Sequence, residues 1–132
     1  MSRRTRRSGT TTRCECDAVN EVGLTGLHFA AGVQLHLREA LATCDDTDLL
    51  LAAFVHEAQS AVTVVMINRD TAAKAVNCSL RNLPRQIATF SQYRTSSTEN
   101  CVDVGSVTVS RRGFSATVPA DSVTTFAGRL GP

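Results

Sequence analysis

The chain has 132 residues, of which 42% are hydrophobic and 20% are charged, and its net charge is +2. This length suits one globular domain, and the composition excludes a disordered or fibrous chain. So small a charge does not indicate nucleic acid as a partner, and the absence of any run of about 18 apolar residues excludes a helical membrane span. With five Phe, one Tyr and no Trp, we expect an aliphatic core.

Residues 1–49 differ from the rest of the chain in the pattern of their apolar residues. Residues 1–26 show no apolar period, which predicts a mobile arm, and the arginines of MSRRTRRSGTTTR are not followed by the apolar stretch of a signal peptide. Apolar residues then recur at roughly helical intervals and predict a short helix near 28–43. The sequence therefore predicts a disordered and partly helical N-terminal arm.

Residues 50–132 show throughout the residue pattern of β-strands separated by turns. LLAAFVH and AVTVVMIN are β-branched runs that predict a hairpin, and NRDT after them predicts a turn. VGSVTVS and FSATVPA predict a second hairpin across RRG, with Gly113 in the tight turn. Short strands at intervals of about ten to fifteen residues indicate an all-β protein, an antiparallel β-sandwich.

The cysteines and histidines give no clear site. Five cysteines at unpatterned spacings do not predict a disulfide framework. Several of these residues could ligate zinc, but their spacing fits no common zinc site, so we expect no metal and no cofactor. The residues considered as zinc ligands are Cys14, Cys16, His28, His36 and Cys44.

The β region also resembles a known family. AFVHEAQSAVTVVMINRDTAAKAVNCSL, YRTSSTEN and FSATVPADSVTTFAG follow one another over about Leu50–Gly128. Together they resemble the C-terminal β-sandwich of glycoside hydrolase family 30, in which a strand ending in Asn precedes a turn and the chain closes on Pro-Ala-x-Ser-Val-Thr-Thr-Phe. The version here looks most like the fungal members, which include endo-β-1,6-galactanases and xylanases.

The resemblance implies a role without chemistry of its own. In that family the sandwich lies beside a (β/α)₈ barrel, and two glutamates on the barrel perform retaining hydrolysis. A barrel takes about 250 residues, far more than residues 1–49 provide, so no catalytic residue can be assigned and the chain is expected to be inactive alone. We expect a non-catalytic accessory domain, a fragment of a secreted polysaccharide-degrading parent, with the barrel as its partner. The resemblance implies an extracellular location, although this chain shows no signal peptide.

Candidate site residues lie near the YRTSSTEN segment. Tyr93 and Arg94 could contact carbohydrate, or Tyr93 could pack on the sandwich while Arg94 faces the barrel. Glu57 and Glu99 could be taken for a catalytic pair, but we expect solvated loop residues, with Glu99 either accepting hydrogen bonds from nearby backbone or pairing with Arg94. Asn77 begins an Asn-Cys-Ser glycosylation signal and could carry a glycan in a secreted parent.

Two alternative functions are also considered, and the incomplete sandwich has one consequence for self-association. The chain could be a stand-alone carbohydrate-binding module, although one Tyr and no Trp equip it poorly. Less favoured is a nucleic-acid-binding protein that uses the arginines of residues 1–13. Because the family's sandwich also recruits strands that residues 50–132 do not match, we expect an incomplete sandwich, and its exposed apolar surface and open strand edge favour self-association.

Overall fold

The computed structural model of the protein describes residues 11–21 and 37–131. This part of the chain is β-structure with one short 3₁₀ turn at Glu57–Gln59, which confirms the all-β prediction. No helix within it is long and apolar enough to cross a membrane. The strands are β1 (Thr12–Glu21), β2 (Leu37–Cys44), β3 (Leu49–His56), β4 (Ala61–Asn68), β5 (Lys74–Arg81), β6 (Ile87–Thr95), β7 (Val102–Thr108), β8 (Gly113–Val118) and β9 (Ser122–Leu130).

All nine strands belong to one sheet with the order β7-β6-β9-β4-β3-β2-β1-β5-β8. Neighbouring strands are antiparallel except β1 and β5, which run parallel. The sheet is therefore mixed, whereas the sequence predicted an antiparallel arrangement throughout. The parallel pair arises because β5 returns beside β1 after the β3–β4 hairpin.

Three phenylalanines show that this sheet curls until it is nearly a closed barrel. Phe114 on β8 lies 4.9 Å, between ring centroids, from both Phe90 on β6 and Phe126 on β9. Strand β8 is at one end of the strand order, while β6 and β9 are near the other end. These contacts require the ends to approach each other over the core, where tilted and edge-on aromatic pairs are favourable.

The core lies inside this curl and is otherwise aliphatic, as the composition predicted. Strand β4 shows the underlying pattern, because every second residue from Val62 to Asn68 is buried and the alternate residues are half-buried. Successive strand residues point to opposite faces, so one face of each strand lines the interior.

Two strands come from the region predicted to be an arm. Thr12–Glu21 forms a strand, with Cys14, Cys16 and Ala18 buried, so the mobile-arm prediction is wrong there. Leu37–Cys44 is also a strand, so the predicted helix is wrong from residue 37 onward. Pairing with β1 and β3 overrides the helical propensity of Leu, Arg, Glu and Ala. The rest of that helix, residues 28–36, and the arginine-rich residues 1–10 lie outside the described part.

The first predicted hairpin is confirmed and the second is wrong. Strands β3 and β4 pair over their full length. In contrast, β7 pairs with β6 and β8 pairs with β5, and the predicted hairpin is reduced to a single bridge between Ser110 and Gly113. Gly113 is needed for close approach, because a Cβ there would lie 2.9 Å from the carbonyl oxygen of Cys78.

The side chain of Asn68 joins two turns at one end of the sheet. Its Nδ2 donates to the carbonyl oxygens of Ala72, Val118 and Pro119 at 3.0, 3.1 and 3.0 Å, and its Oδ1 accepts from the backbone N–H of Asp70. Asn68 is only 1% exposed. A buried amide must be hydrogen-bonded, and these bonds fix the turn after β4 to the end of β8.

An ion-pair cluster at the same end joins the β2–β3 and β4–β5 turns. The Nζ of Lys74 lies 2.6 Å from the Asp46 carboxylate and 3.0 Å from that of Asp70. Hydrogen bonds from Lys74 are the main cause that lowers the pKa of both aspartates, and the bond to Asp46 is the main cause that raises the pKa of Lys74. The charged forms of all three groups are therefore favoured in the folded protein.

Replacing Asn68 tests the amide connection. We expect Asn68→Ala to lower the free energy of unfolding by about 2–4 kcal/mol, because buried backbone carbonyls lose their donor. Urea unfolding measures this. Asn100→Ala is the control, because Asn100 is exposed, and a surface change should stay within about 0.5 kcal/mol. Equal losses in the two variants would contradict the structural role of Asn68.

Replacing Lys74 tests the ion-pair cluster through its pH dependence. A lowered carboxyl pKa stabilises the fold above about pH 4 and this stabilisation is lost as the pH falls through the folded pKa; a raised lysine pKa stabilises below about pH 10 and is lost as the pH rises. We therefore expect Lys74→Met to lower Tm most between these limits, with the difference from the parent shrinking in acid. Thermal melts by circular dichroism measure this.

The matched control is Arg129→Met, which removes an exposed cation elsewhere and should leave the acid part of the stability profile unchanged. A Tm difference for Lys74→Met that is constant across the whole pH range would show that lost packing, not lost charge, is the cause.

Candidate functional site

The outside of the curled sheet presents an apolar surface on β3, β4, β9 and β6. Residues directly paired on adjacent strands point to the same face, and their alternates are buried inside. We call this surface the outer face. Its rows, read from β6 to β3, are Thr95, Val123, Ile67 and Leu50, then Tyr93, Thr125, Val65 and Ala52, then Ser91, Ala127, Thr63 and Phe54.

These three rows contain no charged residue, but Glu39, paired with Phe54, and Arg129, paired with Ala61, border them on the same side of the sheet. Leu50 is 43% exposed, and Leu41 on the neighbouring strand β2 is 42% exposed. The pairing of Glu39 with Phe54 puts the odd-numbered residues of β2, including Leu41, on the same side. A contiguous apolar patch of this kind is typical of a surface that packs against another protein part.

Tyr93 and Arg94, the predicted contact residues, point to opposite faces. Tyr93 is paired with Thr125 and lies half-buried on the outer face, whereas Arg94 is paired with Thr124, whose side chain is buried on the inner side. Because the two side chains diverge, they do not form one binding site together. Contact with carbohydrate or a barrel by either residue stays a prediction.

The predicted pairing of Arg94 with Glu99 is confirmed. The Nε and Nη2 of Arg94 donate to the two carboxylate oxygens of Glu99, each at 2.9 Å, and the hydroxyl of Ser96 donates to the same carboxylate. The hydrogen bond from Arg94 is the main cause that lowers the pKa of Glu99. A general acid in glycoside hydrolysis needs a raised pKa, so Glu99 is unsuited to that role. The side chain of Glu57 lies outside the described part.

Two pairs of cysteines lie on β1, β2 and β5. Cys14 and Cys44 are directly opposite each other and form a disulfide, which corrects the expectation that the cysteines form no framework. Their spacing could not reveal this pair, because the register of β1 with β2 brings them together. Cys16 and Cys78 are buried thiols with sulfurs 3.9 Å apart. The hydrogen bond with Cys16, together with burial, raises the pKa of Cys78.

The metal ligands considered from the sequence do not come together in the described residues. Cys14 and Cys44 are joined to each other, and His28 and His36 lie outside residues 11–21 and 37–131. Within those two ranges no group of three or more His, Cys, Asp or Glu side chains could hold a metal ion.

Asn77, the predicted glycosylation residue, lies exposed in the middle of β5. It is paired with Arg13 on β1 and Ser115 on β8, and its Oδ1 accepts a hydrogen bond from the Ser115 hydroxyl. Its side chain points outward, which a glycan requires. Glycosylation stays a prediction.

Comparison with known proteins identifies the fold. No protein-family model matches the chain, and no curated protein matches it. Among solved structures, the chain is similar to a family 30 endoxylanase from Clostridium papyrosolvens C71, with 26% identity, a TM-score of 0.66, and coverage of 71% of this chain and 24% of that one.

Two further structures show the same likeness. The family 30 subfamily 8 xylanase Xyn30A from Clostridium acetobutylicum has 23% identity and a TM-score of 0.64, over 71% of this chain and 24% of that one. A Paenibacillus polymyxa xyloglucanase of glycoside hydrolase family 44 has 16% identity and a TM-score of 0.65, over 71% of this chain and 19% of that one.

The chain therefore has the fold of a glycoside hydrolase-related β-domain, as the sequence resemblance predicted. It spans about a quarter or less of the length of the enzymes that it matches. What it shares with them is a part of each enzyme.

Proposed function

We propose that the chain is a non-catalytic accessory β-domain of a polysaccharide-degrading glycoside hydrolase. It corresponds in this proposal to the C-terminal β-sandwich of family 30, most similar to the fungal members, and its parent is secreted. The observation that supports the proposal most directly is the outer face, whose three rows carry no charge, on a fold shared with solved glycoside hydrolases several times longer.

The outer face fits the catalytic (β/α)₈ barrel of the parent as its partner. Interfaces between domains of one chain bury roughly 600–1,500 Å², and apolar area contributes about 25 cal/mol per Å² removed from water. Val65, Ile67 and Val123 at the centre of the face are β-branched, and their side chains lose little rotamer freedom on packing. A partner that covers the three rows but leaves the bordering Glu39 and Arg129 in solvent desolvates no charge.

The described carboxylates support the non-catalytic role. Retaining hydrolysis requires two carboxyl groups about 5–5.5 Å apart, one of them a general acid with a raised pKa. Here Asp46 and Asp70 are held by Lys74, and Glu99 is held by Arg94, each with a lowered pKa. Carboxylates fixed as anions in ion pairs are poor proton donors.

An activity assay tests the absence of catalysis. We expect the purified chain to release no reducing ends from xylan, xyloglucan or β-1,6-galactan, because Asp46, Asp70 and Glu99 are held as anions in ion pairs and cannot serve as the general acid. The C. papyrosolvens endoxylanase on xylan is the positive control. Hydrolysis by this chain that survives further purification and disappears in Glu99→Gln would overturn the proposal.

Substitution on the outer face tests its role as a packing surface. In the isolated chain we expect the uncovered face to drive self-association, and we expect Leu50→Lys to reduce the average mass measured by sedimentation equilibrium. Val102→Lys is a matched control, because Val102 on β7 is 42% exposed, close to the 43% of Leu50, and lies away from the outer face. A monomeric parent chain, or an equal effect of the two substitutions, would contradict the proposal.

A further inference from the structure

A pocket lies where the β5–β6 connection meets the turn that leads into β8. Its volume is about 490 Å³, within the range of roughly 300–1,000 Å³ typical of small-molecule sites. We call it the arginine pocket. Its polar lining includes Arg85, Arg111 and Arg112, and apolar side chains such as Leu80 and Leu83 line the rest.

Few of the guanidinium groups of this pocket have a hydrogen-bond or ion-pair partner among the described residues. Arg85 donates one hydrogen bond to the hydroxyl of Ser60. The side chains of Arg111 and Arg112 are exposed and have no ion pair or hydrogen bond with residues 11–21 or 37–131. Among the residues that the structure describes, no aspartate or glutamate lines the pocket.

The nearest acidic groups already have partners. Beside the pocket, Glu15 forms an ion pair with Arg81, and Asp17 accepts a hydrogen bond from Asn82 at 2.9 Å. These carboxylates neutralise a neighbouring arginine and hold the start of the β5–β6 connection. The positive charge of Arg85, Arg111 and Arg112 is therefore left for a ligand.

The turn that presents two of these arginines is strained. Arg111 and Arg112 have φ values of 55° and 62°, the signature of a type I′ turn, which favours Asn-Gly. The turn is fixed by mutual backbone hydrogen bonds between Ser110 and Gly113 and by a bond from the Leu80 N–H to the Arg112 carbonyl. Strained residues held by well-bonded surroundings are concentrated at functional sites.

We propose that the arginine pocket binds a carboxylated sugar, such as a uronate unit of an acidic polysaccharide. Guanidinium groups bind carboxylates through paired, charge-assisted hydrogen bonds. The accessible apolar lining at Leu83 and Pro84 suits the C–H face of a pyranose ring. The arginines alone are the reason to expect an anionic ligand. The expectation that this ligand is a sugar rests on the proposed function.

A double substitution separates binding from folding. Arg111→Asn with Arg112→Gly removes both guanidinium groups and installs the residues that a type I′ turn prefers, so we expect Tm to stay equal or rise. Isothermal titration with oligogalacturonate should show saturable binding to the parent chain and at least about tenfold weaker binding to the double variant. Arg129→Asn, which removes an exposed arginine outside the pocket, should bind like the parent.

Neutral xylo-oligosaccharides and inorganic phosphate complete the experiment, and we expect both to bind more weakly than oligogalacturonate. Equal affinity for the neutral sugar would overturn the ionic basis, and equal affinity for phosphate would overturn the choice of a sugar. Absence of saturable oligogalacturonate binding, or undiminished binding by the double variant, would overturn the site. The double variant leaves the outer face intact, so these outcomes are distinct from those of the self-association test.

Discussion

The contact of Phe114 with Phe90 and Phe126 is the constraint on which the rest of the structure depends. It brings the last strand at one end of the sheet over two strands near the other end, and thereby encloses the core. Space for it is made at Gly128, where a Cβ would lie only 2.8 Å from the Phe90 ring. Together with the backbone hydrogen bond from the Val109 N–H to the Ala88 carbonyl, this contact fixes β8 and the turn before it against β6.

The curl of the sheet separates surface regions that differ in polarity and charge. Because the inner faces of all strands converge on the core, the outer face is the only side on which β3, β4, β9 and β6 can meet a partner. The charged side chains are concentrated in turns and at strand ends, as in the Lys74 cluster at one end and the arginine pocket elsewhere. A partner can thus cover the three uncharged rows of the outer face with Glu39 and Arg129 at its border, while the pocket stays open to a separate ligand.

The sequence predicted the strands that are rich in β-branched residues, such as β3, β4 and β9, and it indicated Arg94 as one of two possible partners of Glu99. It failed for β1 because residues 1–26 show no apolar period unless Cys14, Cys16 and Ala18 are counted as the small buried residues of a strand. It failed for Leu37–Cys44 because good helix formers there are held in a strand by both neighbours. The Cys14–Cys44 disulfide and the pocket depend on long-range register, which local patterns do not contain.

The backbone conformation of the RRG turn, residues 111–113, does not explain why arginine stands at its first two positions. Glycine would relieve strain at the positive φ of residues 111 and 112, yet the glycine stands at Gly113, where the strand passes against the Cys78 carbonyl. A left-handed conformation costs a residue with a Cβ roughly 1–2 kcal/mol, and two successive arginines bear that cost here. The backbone hydrogen bonds of Ser110, Gly113 and Leu80 offset this cost, but they do not require arginine, and Arg111 and Arg112 gain no ion pair within the described residues. In the proposal above, a bound anion supplies the partner that these two guanidinium groups lack.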